Sequence, residues 1–180
     1  MKPQKGFTLV ETMVGITVLA VALVGPYTAV QHALSASYVA RDELAASALA
    51  QEGMEYIRSV RDNNYLNTSP TRTWMTGLST LSCYGLTPSG YCTIDPTLGD
   101  VNTTPAAIAA YGTLANVPVL YITSTGLYNQ QTLGTPTRFK RSMQIKKISE
   151  TEVQVTITVS WISVRQSYSV VVTDNLQDWL

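Results

Sequence analysis

Phe7-Thr8-Leu9-Val10-Glu11-Thr12-Met13-Val14-Gly15-Ile16-Thr17-Val18-Leu19-Ala20-Val21-Ala22-Leu23-Val24-Gly25 is the stretch on which the chain is organised. It follows a short polar leader, Met1-Lys2-Pro3-Gln4-Lys5-Gly6, and precedes Pro26. Nineteen residues separate the leader from the proline. At about 1.5 Å of rise per residue they span about 28 Å of helix, close to the ~30 Å hydrocarbon thickness of a bilayer. Lys2 and Lys5 flank the span on one side; the next basic residue, Arg41, is followed by Asp42 and Glu43. The positive-inside bias therefore places the N-terminus in the cytoplasm and sends the rest across.

Glu11 does not suit a plain anchor. A carboxylate in a spanning helix costs about 2.5–3.5 kcal/mol at the centre and less near the interface. Such a residue signals function and needs a partner.

Lys5-Gly6-Phe7-Thr8-Leu9-Val10-Glu11 resembles the leader junction of type IV prepilins and type II secretion pseudopilins. The resemblance implies cleavage after Gly6 by a prepilin peptidase and N-methylation of the new terminus, Phe7. It also implies that Glu11, fifth in the mature chain, pairs with the Phe7 amine of a neighbouring subunit. The physics agrees, because a carboxylate in an apolar filament core is tolerated when it meets a cation. A simple anchor explains the length but not Glu11 or Gly6-Phe7. A secretory signal peptide explains the lysines and a small-x-small site at Ala20-Val21-Ala22, but the helical pattern continues through that site to about Asp62. A buried core helix is seldom apolar on all sides.

The chain has 180 residues and a formal charge of zero. Removal of Lys2 and Lys5 leaves ten basic and twelve acidic residues, near −2. That balance argues against a nucleic-acid binder. Charged residues make up 13% of the chain, about half the usual quarter, which fits burial in membrane or filament.

Gly25-Pro26 should break the first helix, since proline removes a hydrogen bond and clashes with the carbonyl of Ala22. In the family resembled, such a segment can melt on entry into the filament. Helical spacing resumes from Tyr27 to about Asp62. Tyr38, Ala45, Leu49, Gly53, Tyr56 and Val60 form an apolar stripe, with Gln51, Glu55, Arg58 and Asp62 opposite. Asn63-Asn64 reads as the stop. His32, the only histidine, reads as a surface residue.

From Tyr65 to Thr137 the chain is rich in Thr, Ser, Gly, Pro and Asn, its formal charges being Arg72, Asp95 and Asp100. It reads as loops and short strands. Val119–Thr123 is a strand candidate, with a turn at Thr125-Gly126 into Leu127-Tyr128-Asn129. Cys83 and Cys92 lie on the exported side, where oxidising conditions favour a Cys83–Cys92 disulfide. Zinc would need further ligands, and His32 is distant. Asp95 and Asp100 are few against the six to eight oxygens of a calcium site. Asn67-Thr68-Ser69 and Asn102-Thr103-Thr104 match the short N-glycosylation pattern.

Val153, Val155, Ile157, Val159 and Trp161 alternate with Gln154, Thr156, Thr158 and Ser160, a half-buried antiparallel strand. Arg138–Ile148, with Phe139, Met143 and Ile145 on one parity, precedes it. Tyr168, Val170 and Val172 follow a turn near Val164-Arg165-Gln166, completing a meander. Asp174–Leu180 reads as a tail that tucks Trp179 against the sheet. Arg138, Lys140, Arg141, Lys146 and Lys147 concentrate positive charge, but on a strand they divide between two faces and read as edge-strand cations that discourage aggregation.

The expected architecture is α+β and pilin-like, a long N-terminal helix packed on a C-terminal antiparallel sheet. The expected divisions are a leader (1–6), a membrane and filament-core half-helix (7–30), an amphipathic half-helix (31–62), a loop-rich region with the disulfide (63–136) and a meander (137–180). No catalytic triad, Walker loop or dinucleotide fingerprint occurs, and no enzyme activity, cofactor or metal is expected. The resemblance implies a minor or accessory pilin, or else a type II secretion pseudopilin. Its partners would be other pilin subunits in a helical filament, the prepilin peptidase and an inner-membrane assembly platform, with no nucleic acid. It would be a single-pass inner-membrane protein before assembly and an extracellular filament after. A reading from another class is a membrane-anchored extracytoplasmic binding module whose loops between Tyr65 and Thr137 recognise a ligand.

Overall fold

The computed structural model describes residues 6, 8–66, 73–98, 107–163 and 166–178. Phe7, most of the leader, Arg72, Asp100, both glycosylation patterns, Val164-Arg165 and Trp179 lie outside them. The chain divides into two compact units, Met1–Asp42 and Glu43–Leu180. One helix, α1, runs from Leu9 to Leu66.

In the first unit, α1 carries large apolar side chains on every side, all exposed, from Leu9 and Val10 through Ile16, Val21 and Val24 to Val30 and Leu34. It is long and apolar enough to cross a membrane. Three threonines within it satisfy their hydroxyls internally. Thr12, Thr17 and Thr28 donate to the carbonyls of Leu9, Val14 and Gly25 at 2.8, 2.9 and 2.9 Å. In hydrocarbon that bonding removes the cost of an unpaired hydroxyl. The helix assignment runs through Gly25-Pro26 without a gap.

In the second unit, the C-terminal part of α1 packs on a sheet, the expected α+β arrangement. The strands are β1 (Tyr84–Gly85), β2 (Tyr91–Ile94), β3 (Ile108–Tyr111), β4 (Tyr121–Ile122), β5 (Tyr128–Asn129), β6 (Thr135–Pro136), β7 (Lys140–Lys147), β8 (Glu152–Ser163) and β9 (Gln166–Gln177). The main sheet has the order β3-β2-β7-β8-β9, with β1 pairing in parallel to β7. The other ladders of this sheet are antiparallel. A small second sheet has the order β5-β4-β6.

The expected alternation in β8 is present. Val153, Val155, Ile157, Val159 and Trp161 are buried and face the helix side, packed with Leu49, Met54, Ile57 and Val60. Trp161 stacks on Tyr168 at 5.7 Å between ring centres and meets Phe139 at 5.8 Å. Helix and sheet approach most closely at Gly53, where an added Cβ would come within 3.0 Å of Ile157 Cδ1.

Several expectations shift. The buried stripe is wider than expected and set differently at its start. Ala46, Ala50, Met54 and Ile57 are buried, whereas Tyr38 is exposed because it lies outside the packed unit. The helix does not stop at Asn63-Asn64. Asn64 is buried within it and donates from Nδ2 to the carbonyls of Trp74 and Thr76, so its amide ties down the following loop instead of capping the helix. Asp174–Gln177 is not a tail but the end of β9, and Leu176 is buried there. Of Val119–Thr123, only Tyr121 and Ile122 pair as a strand.

The largest correction concerns Arg141. β7 is internal to the sheet, bounded by β8 on one side and by β1 and β2 on the other. Arg141 therefore points into the core beside Phe139 and Met143 and is 0% exposed. Its Nη1 donates to the Leu49 carbonyl at 2.9 Å and to Glu52 Oε2 at 2.6 Å; Nη2 donates to the Ile94 carbonyl at 2.6 Å. One guanidinium thus joins α1, β2 and β7. It is not an edge-strand gatekeeper.

Truncating Arg141 leaves a cavity and removes three charge-assisted bonds. We expect Arg141→Ala to cost about 2–5 kcal/mol in equilibrium denaturation. Glu52→Gln should cost less, because Glu52 is half exposed and water can replace its bond. A loss below about 1 kcal/mol for Arg141→Ala would show that the clamp carries little of the stability.

Candidate functional site

The sequence places functional weight on Gly6, Phe7, Glu11, Gly25-Pro26 and the two cysteines. Gly6 is exposed, and a Cβ built on it would meet nothing within 4 Å. Phe7 lies outside the described residues. Glu11 is exposed in the first turn of α1.

The start of α1 adds a residue that the sequence reading missed. The Thr8 carbonyl accepts from Thr12 N–H at 3.2 Å, the first helical bond. Thr8 is therefore the N-cap, and its Oγ1 accepts from Glu11 N–H at 3.3 Å. Thr8-Leu9-Val10-Glu11 has the T-x-x-E spacing of a capping box, which is the signal that could have found it. Glu11 also lies where the helix dipole favours a negative charge. Its carboxylate is thus less costly at this turn than deeper in the span.

The disulfide is present. Cys83 and Cys92 are bonded, nine residues apart, and both are buried. Cys83 O accepts from Ile145 N–H at 2.7 Å, and Cys92 pairs with Met143 in the ladder. The bridge therefore holds together two segments that share one edge of β7. Asp95 is no open cation ligand. It is 2% exposed; Oδ1 accepts from Thr97 N–H and its hydroxyl, and Oδ2 accepts from Gln130 N–H at 2.8 Å. It staples the turn after β2 to the loop after β5. Among the described residues no three His, Cys, Asp or Glu side chains gather into a metal site.

On the helix surface, Arg58 bonds Asp174 of β9 at 2.8 Å and also meets Glu55. The hydrogen bond to Asp174 holds the Arg58 guanidinium above its ordinary value. His32 is exposed on α1. Of the basic concentration, Arg141 is buried, while Lys140 and Lys147 bond the Ala115 carbonyl and Glu150. These cations do not form one patch.

Residues 1–25 match the family described as the prokaryotic N-terminal methylation motif. The chain carries a prepilin-type N-terminus. The match, on an apolar N-terminal helix followed by an α+β unit, supports a type IV pilin or pseudopilin. It indicates a structural subunit that assembles with other pilin subunits and is processed by a prepilin peptidase. The motif and the helix fit a membrane-anchored precursor and a filament after assembly. Nothing among curated proteins or solved structures matches the chain significantly.

Two outcomes follow from this geometry. Replacing Cys83 and Cys92 together by serine should cost about 2–3 kcal/mol, the loop-closure value for a short loop, and reduction of the unmodified protein should cost the same. Thr8→Val should fray the first turn by about 0.5–2 kcal/mol. Hydrogen exchange would show it as faster exchange confined to Leu9–Glu11, with Tyr56–Val60 unchanged.

Proposed function

We propose that the chain is a minor or accessory subunit of a type IV pilus, structural and not catalytic. The prepilin peptidase cuts after Gly6 and methylates Phe7. The N-terminus lies in the cytoplasm before processing, held there by Lys2 and Lys5. An inner-membrane platform then moves the subunit into a filament, where Glu11 pairs with the Phe7 amine of a neighbour.

One observation carries this reading. The helix from Leu9 is apolar and exposed on all sides, yet bears one carboxylate in its first turn, next to the cleavage junction. Lipid covers the apolar surface before assembly, and neighbouring helices cover it after. Only a cation can offset the acid once water is gone. The new α-amino group of a neighbouring subunit supplies that cation, and only after the cut. The meander β7–β9, with Trp161 central to its packing, supports the accessory class over a short main subunit. Gly25-Pro26 is the point where the helix gives on assembly: Pro26 withdraws a donor from the Ala22 carbonyl, and Gly25 has no side chain to hold the turn.

Mass spectrometry of the mature N-terminus tests the processing. A chain beginning at N-methylated Phe7 is expected; retention of Met1, or a start near Leu23, overturns the reading. Glu11→Ala should still be cleaved and methylated but should enter filaments at least about tenfold less often, the scale of an unpaired charge in an apolar site. Undiminished incorporation would remove the pairing role.

A further inference from the structure

The main sheet has two edges of different kinds. β3 is short, with 4 residues. β9 has 12 residues and, among the described residues, pairs with β8 alone. An edge strand carries a row of unpaired N–H and C=O groups, and natural edges are blunted by shortness, proline, lysine or a bulge. β9 has none of these. Gln166–Gln177 contains no Pro, Gly, Lys or Arg. Its ladder with β8 runs from Glu152 opposite Gln177 to Ser163 opposite Gln166 without a break. Its one charge, Asp174, is turned to α1 and bonded to Arg58 at 2.8 Å.

Two features of β9 indicate its partner. The first is an order of residues that reads alike in both directions. Ser169-Val170-Val171-Val172-Thr173 is centred on Val171. Laid antiparallel on a second copy about that residue, Val170 meets Val172 on the helix side and Ser169 meets Thr173 on the outer side. Further out, Tyr168 meets Asp174 and Ser167 meets Asn175, so no like charges face each other. The second feature is what the edge leaves bare. Tyr168, Val170 and Val172 pack against the core but are only half-buried. Val171 is 56% exposed on the outer side, opposite Thr158 of β8 and between Ser169 and Thr173 along β9. In the antiparallel pair, Val171 meets its own copy and the half-buried row gains a neighbour. Centring on Val172 would set Val170 against Asp174, and centring on Val170 would set Val171 against Ser169.

We propose that β9 is a docking edge for a second copy of this chain, joined β9 to β9, antiparallel and centred on Val171, into one continuous sheet. Main-chain hydrogen bonds supply the contact, and the valine pairs fix its register. A two-fold contact of this kind is closed, so it joins two chains and does not extend along a filament. It is independent of the role of α1.

Cross-linking of the full chain in a non-ionic detergent tests it. Cys83 and Cys92 are bonded to each other, so a single introduced thiol has no competitor. Directly opposite Cβ atoms lie about 4.5–5.5 Å apart, close to disulfide range. Val171→Cys should therefore form a disulfide-linked dimer under mild oxidation. Thr173→Cys, on the same side of the same strand, would lie about 13 Å along the strand from its copy and should link at least about tenfold more slowly. Val171→Lys sets two ammonium groups opposite each other. It should raise the dimer dissociation constant, measured by sedimentation, at least about tenfold while leaving the melting temperature of the monomer unchanged. A monomeric unmodified chain, equal cross-linking at the two positions, or a dissociation constant unmoved by Val171→Lys would each overturn the proposal. Association through α1 alone would give the last two results.

Discussion

A guanidinium with no access to water must find its acceptors inside the protein. Arg141 finds a carbonyl on the helix, a carbonyl on β2 and the carboxylate of Glu52. Two of the three lie on α1 and one on β2, between about a quarter and half of the chain away from Arg141 in sequence, and none is optional once the charge is buried. This constraint sets the rest of the second unit. It fixes β7 against the helix at Leu49 and brings Gly53 one turn later to within reach of Ile157, and with it the buried stripe of α1. It places the end of β2 beside β7, where Cys92 can meet Cys83. A hydrophobic residue at 141 could fill the same volume, but it would accept many sliding positions of helix on sheet. The fork of Arg141 accepts few.

Much of this was legible in the sequence. Val153 to Trp161 alternate too strictly for a helix, so β8 could be read directly, and the strands on either side of it followed from parity. The helix was legible as well, since its C-terminal half needed a sheet and the sheet needed a cover. What could not be read were facts that depend on neighbours in space. Arg141 looks like the lysines around it, and only the insertion of β2 beside β7 makes its position central. Asn64 looks like a helix stop, and becomes a brace because Trp74 and Thr76 return to it. Asp95 looks like half of a cation site, and proves to be a staple because Gln130 comes back to it. In each case a polar residue's role was decided by a partner at least ten residues away, and local propensity carries no information about that partner.

The N-terminal helix shows the reverse. There the local pattern is nearly everything, because the exposed side chains of residues 9–34 have no packed sheet to answer to. The threonines of that stretch bond their own backbone, so an apolar environment can surround them at little cost. Glu11 is the one carboxylate of that stretch. The cap at Thr8 changes how its position should be understood. A carboxylate in mid-helix would face hydrocarbon with nothing to offset it. One in the first turn faces the positive end of the helix dipole. The cap and dipole lower the cost of carrying the acid through the membrane without removing the need for a cation at the end. The Thr8 cap keeps Glu11 ordered in the first turn of the helix. The same four residues, Thr8 to Glu11, that make the helix begin cleanly also set the acid in the turn where its charge costs least.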